Sequence, residues 1–202
     1  MKYIGKIIII FLVLAISYLG YGLHYKHQKL LSVYDTPDKY AITPVQYDLT
    51  IVDFNKYSCD QCQSLHPVLM EAIKRDGKVR YIPRNITNGY GWNNTLAIAT
   101  YAAGEQGKFM EMYNMIYEKW PVEDKKTLFR YAKSIGINTQ KLSRDMSNPE
   151  IKILMMNDQN HFKAWKLRQT PSLLIGEKSI YTPGKETPNI EKLLDMFEGA
   201  RL

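Results

Sequence analysis

The chain has 202 residues, 45% hydrophobic and 23% charged, a composition that supports one folded domain with a core and excludes disordered and fibrous classes. Its net charge of +7 comes from charges of both signs scattered along the chain rather than from a basic stripe, which argues against a nucleic-acid partner. There are only two cysteines, Cys59 and Cys62, which excludes a multi-disulfide scaffold and a four-thiolate zinc site, so the pair has to be explained together.

Lys2 and Lys6 precede an uncharged run, residues 7–23, whose centre is continuously apolar. This pattern predicts an export signal, and residues 1–23 are read as a signal or signal-anchor transmembrane segment. The run sits at the lower limit for a spanning helix and above the usual length of a signal-peptide core. Cleavage near Ala15 and Ser17 therefore stays open beside retention as an anchor. The aromatic cluster Tyr18, Tyr21 and Tyr25 and the balance of flanking lysines favour an uncleaved anchor with a cytoplasmic N-terminus. Either way residues 24–202 stand outside the cytoplasm, in the cell envelope or periplasm, where a disulfide persists.

Residues 24–46 are polar, carry two prolines and read as an extracytoplasmic tether, so the folded domain is expected over 47–202. Residues 47–54 mix β-branched and aromatic side chains and predict a central strand ending just before the cysteines. Leu65, Val68, Leu69 and Ile73 predict a helix over 59–75 kinked at Pro67, and 78–83 predict a second strand. Residues 88–168 read as a helical insert with three apolar stripes: Phe109 to Trp120, Leu128 to Ile135, and a third opened by Pro149. Two short strands, 172–175 and 179–181, form a hairpin around Gly176, and 189–198 predict a last helix. Strand, helix, strand, insert, strand, strand, helix is an α/β layer order with a right-handed crossover, with the insert between the second and third strands.

The chemistry centres on Cys59-Asp60-Gln61-Cys62 at a strand-to-helix junction. Unpaired N–H groups and the positive dipole end of a helix stabilise a thiolate, which lowers the pKa of Cys59. Two intervening residues let the sulfurs reach bonding range, so Cys59 would attack and Cys62 would resolve the resulting mixed disulfide. Two other readings stay open. A structural disulfide would close a ring too small to constrain much of the unfolded chain. A copper or zinc site could draw on Cys59, Cys62 and His66, one turn further on.

From residue 47 to 199 the chain resembles the DsbA-like thiol–disulfide oxidoreductases of the thioredoxin superfamily, including membrane-anchored members. The resemblance rests on Val-Asp-Phe-Asn-Lys-Tyr-Ser-Cys-Asp-Gln-Cys, on Pro67 eight residues after Cys59, on residues 102–109, which look like the start of the family's helical insert, and on 133–138 and 168–176. It implies a thioredoxin-like α/β fold with a helical subdomain between the second and third core strands. It also implies that Asp53 is a buried acid that relays the proton of Cys62, and that Thr170-Pro171 is a cis-proline element that positions substrate by pairing with an extended chain. Two departures stand out. Asp60 and Gln61 lie between the cysteines where strong oxidants often carry His or Pro, which implies redox tuning toward a weaker oxidant, and Gln169 stands where glycine is common.

The expected function is exchange of the Cys59–Cys62 disulfide with exported cysteine-containing proteins through a mixed disulfide at Cys59, most readily as an oxidant. No cofactor beyond that disulfide and no metal are expected. The expected membrane redox partner is a quinone-linked oxidase or a donor of reductant. The alternatives are a membrane-tethered reductase or isomerase-type donor of the same fold and a non-enzymatic metal-binding module.

Overall fold

A computed structural model describes the backbone of residues 2–177 and 179–202 and, outside Lys178, the side chains from Phe11 onward. The chain forms two compact units that meet at Asp35 and Thr36. The first is helix α1 (Lys2–Leu31) followed by one short turn. Apolar side chains from Phe11 to Leu23 stand exposed along it. Among the described residues no helix is long and apolar enough to cross a membrane; the side chains of residues 7–10, the start of the apolar run, lie outside those described.

The second unit, Thr36–Leu202, is built on strand β1 (Leu49–Asn55), in which every residue but Thr50 is buried. Burial on both faces is what adjacent apolar residues such as Ile51 and Val52 predict. Helix α2 (Asp60–Asp76) crosses to β2 (Val79–Asn85), which lies parallel to β1 with Leu49 opposite Val79 and Asn55 opposite Asn85. Gly77 ends α2 at φ 74°, a left-handed turn open to glycine without strain. β2 continues two residues past the expected stop at Pro83. It is an edge strand, and Tyr81, two residues earlier on the same side, donates its N–H outward to Ile42, so Pro83 interrupts no bond to β1.

Helices α3 (Gly91–Gly104), α4 (Phe109–Glu118), α5 (Lys125–Ser134), α6 (Thr139–Asp145) and α7 (Pro149–Ala164) then form the insert. It opens at Gly91, so residues 102–109, read as its beginning, are the end of α3 and the turn into α4. The aromatic stripe on α4 faces the core as expected, with Phe109, Met112, Tyr113, Ile116 and Tyr117 buried. The chain returns through β3 (Ser172–Ile175), antiparallel to β1, and β4 (Ser179–Tyr181), and closes with α8 (Ile190–Arg201), which packs on α2, β1 and β3. The sheet order is β2-β1-β3-β4, and along the chain the insert lies between β2 and β3, as expected from the sequence.

The expected tether over residues 24–46 is structured at both ends: residues 24–31 continue helix α1. Thr36 onward belongs to the second unit, and Tyr40 is 3% exposed between the rings of Tyr101 and Phe109. Polar composition concealed this, because two hydrophobic residues, Tyr40 and Ile42, anchor the whole segment.

Candidate active site

β1 ends at Asn55, and after three intervening residues the chain enters α2 with Cys59 as its N-cap. Cys59 is in extended conformation, and its Sγ accepts the N–H of Cys62 at 3.1 Å. The two sulfurs are joined, with Cα atoms 5.1 Å apart. Cys59 is partly exposed, whereas Cys62 is 2% exposed and packs in the core. A thiolate formed at Cys59 would thus sit at the positive end of α2 and keep an N–H donor, both of which favour the charged form. An incoming thiolate has access to Cys59 and little to Cys62.

Pro171 follows a cis peptide bond, and the carbonyl oxygen of Thr170 lies 3.3 Å from Cys59 Sγ. The last turn of the loop before β3 therefore abuts the reactive sulfur. Gln169 is exposed and its carbonyl accepts the hydroxyl of Ser172. Of the two residues between the cysteines, Asp60 is exposed, while Gln61 donates to the carbonyl of Gly184 in the loop after β4.

Asp53 lies within β1, 4% exposed. Its Oδ2 accepts from the Tyr81 hydroxyl at 2.7 Å and from Asn55 Nδ2 at 3.1 Å, with the Tyr113 hydroxyl at 3.4 Å, while Oδ1 is buried without a partner. Burial pushes its pKa up to about 6, and the three donors hold it from rising further. His66 stacks on Tyr117 at 4.1 Å and meets the edge of Tyr113 at 5.2 Å. Burial drives this imidazole down to about 4, with the Asn114 side chain opposing. Tyr117 in turn donates to Asn55. A continuous set of contacts thus runs from His66, one turn beyond Cys62, through Tyr117 and Asn55 to Asp53.

The sequence reading named Asp53 and weighed His66 only as a metal ligand; it missed Asn55, Tyr81, Tyr113 and Tyr117. The spacing of Tyr113 and Tyr117 placed both on one face of α4, but nothing in the sequence paired that face with β1. Among the described residues no three His, Cys, Asp or Glu side chains converge on a common point, and His66 meets Tyr113, Tyr117 and Asn114.

A redox-capable cysteine pair at the head of a helix, beside a cis-proline, in a four-stranded mixed sheet defines a thioredoxin-like protein. A family model described as thioredoxin matches residues 47–196, and the chain belongs to that family. Among solved structures it is similar to a thioredoxin-like oxidoreductase from Silicibacter pomeroyi, with a TM-score of 0.74, 24% identity, and 84% of this chain and 96% of that one covered. It is also similar to the thiol–disulfide exchange protein α-DsbA2 from Wolbachia pipientis, with a TM-score of 0.71, 16% identity, and 87% and 97% covered. The resemblance to the DsbA-like branch is thus present in the fold. A curated relative, a Na(+)/H(+) antiporter NhaA 3 from Salinispora tropica, is 21% identical over 161 residues, covering 79% of this chain. The chain spans about a quarter of the length of the curated relatives it matches.

Proposed function

We propose that this protein is an extracytoplasmic thiol–disulfide oxidoreductase that donates its Cys59–Cys62 disulfide to exported proteins. The reading is carried by one observation: the exposed member of the cysteine pair caps a helix N-terminus beside Thr170, while its partner is buried. A client thiolate attacks Cys59 Sγ and the Cys59–Cys62 bond breaks, leaving Cys62 as the thiolate. A second client thiolate then attacks the client sulfur of the mixed disulfide, and Cys59 leaves. The client loses two electrons and the pair gains them. Asp53 and the network around it would accept and return the proton of Cys62, and Thr170 would pair with the client backbone. No group beyond the disulfide is needed for this step.

The turnover requires re-oxidation, which we assign to a quinone-linked membrane oxidase. Support for the location is the lysine-flanked apolar run at 7–23, which we read as an anchor in the cytoplasmic membrane. Asp60 beside Cys59 opposes its thiolate, so the pair is expected to be a milder oxidant than the strongest members of the DsbA-like branch.

Equilibration of the full chain in glutathione buffers, with trapping of free thiols, tests the reading. A reduction potential between about −120 and −200 mV supports disulfide donation, and one near about −270 mV replaces it with reduction by a membrane donor. Failure of the two cysteines to form a disulfide in oxidising buffer, with metal retained by the purified protein, would replace both with metal binding.

A further inference from the structure

A cavity of about 610 Å³ opens between the loop after β2, the start of α3 and helix α7. Two hydrogen bonds tie neighbours of its lining residues to the segment that carries Cys59. Ile86, just past β2, donates its N–H to the carbonyl of Asn55 at the end of β1, and Asn93 in the first turn of α3 donates to the hydroxyl of Ser58, the neighbour of Cys59. Asn94, the next residue, lines the cavity and pairs with Thr87 across it. On the other side the cavity is bounded by α7, from whose end the chain runs directly to Thr170 beside Cys59 Sγ.

The lining combines apolar surface from Ile98, Met155 and Met156 with side-chain amides of Asn88, Asn94 and Asn160, groups that can bond to a peptide backbone. Of the lining residues Met156 is 63% exposed, and Tyr90 and Ile153, sequence neighbours of the lining residues Gly89 and Lys152, are 72% and 56% exposed. Methionine adapts to varied apolar side chains, which suits a surface that accepts many sequences.

The charge is one-sided. Lys152 and Lys163 line the cavity, and Lys166 and Arg168 follow on the way to Thr170. Between Lys152 and Thr170 the only acid is Asp158, which is fully buried and bound to Arg84 and Tyr101. Among the described residues none of the four cations forms an ion pair.

We propose that this cavity seats the client chain beside its reacting cysteine, as an extended segment that carries apolar and acidic side chains. The proposal rests on the oxidoreductase reading above and names its substrate class. Lys152 and Lys163 contact the acidic residues, Met155, Met156 and Ile98 the apolar ones.

The test uses the oxidised full chain and two reduced peptides, each with a pair of cysteines and flanking leucines, identical except that one carries Glu where the other carries Lys. Rates of peptide oxidation are divided by the rate toward dithiothreitol measured in the same protein. We expect the Glu peptide to be oxidised about tenfold faster than the Lys peptide, and Lys152→Glu with Lys163→Glu to invert the preference. Lys126→Glu with Lys133→Glu, on the exposed face of α5, makes the same change in net charge and is expected to keep the preference. Equal rates for the two peptides, or equal effects of the two double variants, overturn the proposal. A dimer by sedimentation together with loss of the preference would mean that a second copy of the chain fills the cavity, and also overturns it. A protein that oxidises the Lys peptide and dithiothreitol without preference retains the oxidoreductase function and loses only this cavity. One that oxidises neither peptide nor dithiothreitol loses both.

Discussion

Cys59 Sγ lies 3.3 Å from the carbonyl oxygen of Thr170, a residue 111 positions away that reaches it only when the helical insert has closed between β2 and β3. The reactive sulfur is therefore framed by the start of α2 on one side and the backbone leading into β3 on the other. Cys62, one helical turn on, is 2% exposed. Under the proposed exchange, this asymmetry gives attack to Cys59 and resolution to Cys62.

Cys62→Ser should trap what Cys59→Ser cannot. Mixed with an oxidised peptide disulfide, the Cys62→Ser protein is expected to accumulate a stable mixed disulfide, seen on non-reducing gels and by mass spectrometry, while Cys59→Ser yields little. Equal trapping by the two variants would show that burial does not decide which sulfur reacts.

Asp53 and His66 give opposite pH dependences. Asp53 titrates near 6 in the folded state against about 4 unfolded, so the folded protein binds more protons in that window and loses stability as pH rises through it. His66 titrates near 4 against about 6.5 unfolded, so stability is lost as pH falls through its window. Each effect amounts to about 3 kcal/mol at full extent. Between about pH 4 and pH 6 the two oppose each other, so the pH slope of wild-type urea unfolding should lie between the slopes of the two single variants. Asp53→Asn should leave the His66 slope, with stability rising as pH rises, and His66→Phe should leave the opposite slope. If both variants are flat, neither group is perturbed as its burial implies.

Asp53→Asn also separates stability from catalysis. Removing a carboxylate that is buried and half-satisfied should raise stability near neutral pH. If Asp53 relays the proton of Cys62, the same variant should slow resolution of the mixed disulfide and flatten the pH dependence of its rate. A rate that follows the wild-type pH profile would reduce Asp53 to a structural role.

Much of this arrangement was legible because it is local. The β-branched and aromatic run before Cys59, the spacing of the cysteines and the apolar stripes on α4 and α7 each fall within one element, and local patterns report elements well. What escaped was pairing across elements. Tyr81 sits opposite Ile51 in the sheet, yet its hydroxyl reaches Asp53, and Tyr113 arrives from a different helix. Such contacts depend on where the insert lands on the sheet, which no local pattern encodes. Tyr40 was lost for the converse reason: one buried ring held a segment whose composition is that of a linker.

Arg84 and Asp158 join β2 to α7 through a fully buried ion pair at 2.6 Å, with the Tyr101 hydroxyl on the other carboxylate oxygen and Thr36 on the guanidinium. Burial pushes the Asp158 carboxyl up, and Arg84 and Tyr101 hold it down. Asp158→Ala strands the guanidinium and should cost about 3–5 kcal/mol in chemical unfolding. Arg84→Met combined with Asp158→Leu removes both charges and is expected to cost less than Asp158→Ala alone. The reverse order would mean that the charges themselves, beyond their mutual satisfaction, stabilise this junction.

Gly104 ends α3 where the ring of Tyr40 crosses it. A Cβ at this position would stand 2.5 Å from Tyr40 Cε1 and 3.3 Å from the carbonyl oxygen of Lys39. Tyr40 has little room to yield, because it is 3% exposed, its ring lies between Tyr101 and Phe109, and its hydroxyl is bound by Glu105. Alanine is favoured over glycine in a helix by about 1 kcal/mol, while overpacking a filled site costs about 1–3 kcal/mol. The clash wins, so Gly104→Ala should lower stability in urea. On a Tyr40→Ala background the ring is gone and only the helix preference remains, so the same substitution should become neutral or stabilising. Destabilisation of equal size in both backgrounds would show that Gly104 is required for some reason other than the passage of Tyr40, and would remove the main evidence that residues 36–46 are packed onto the domain rather than leading into it.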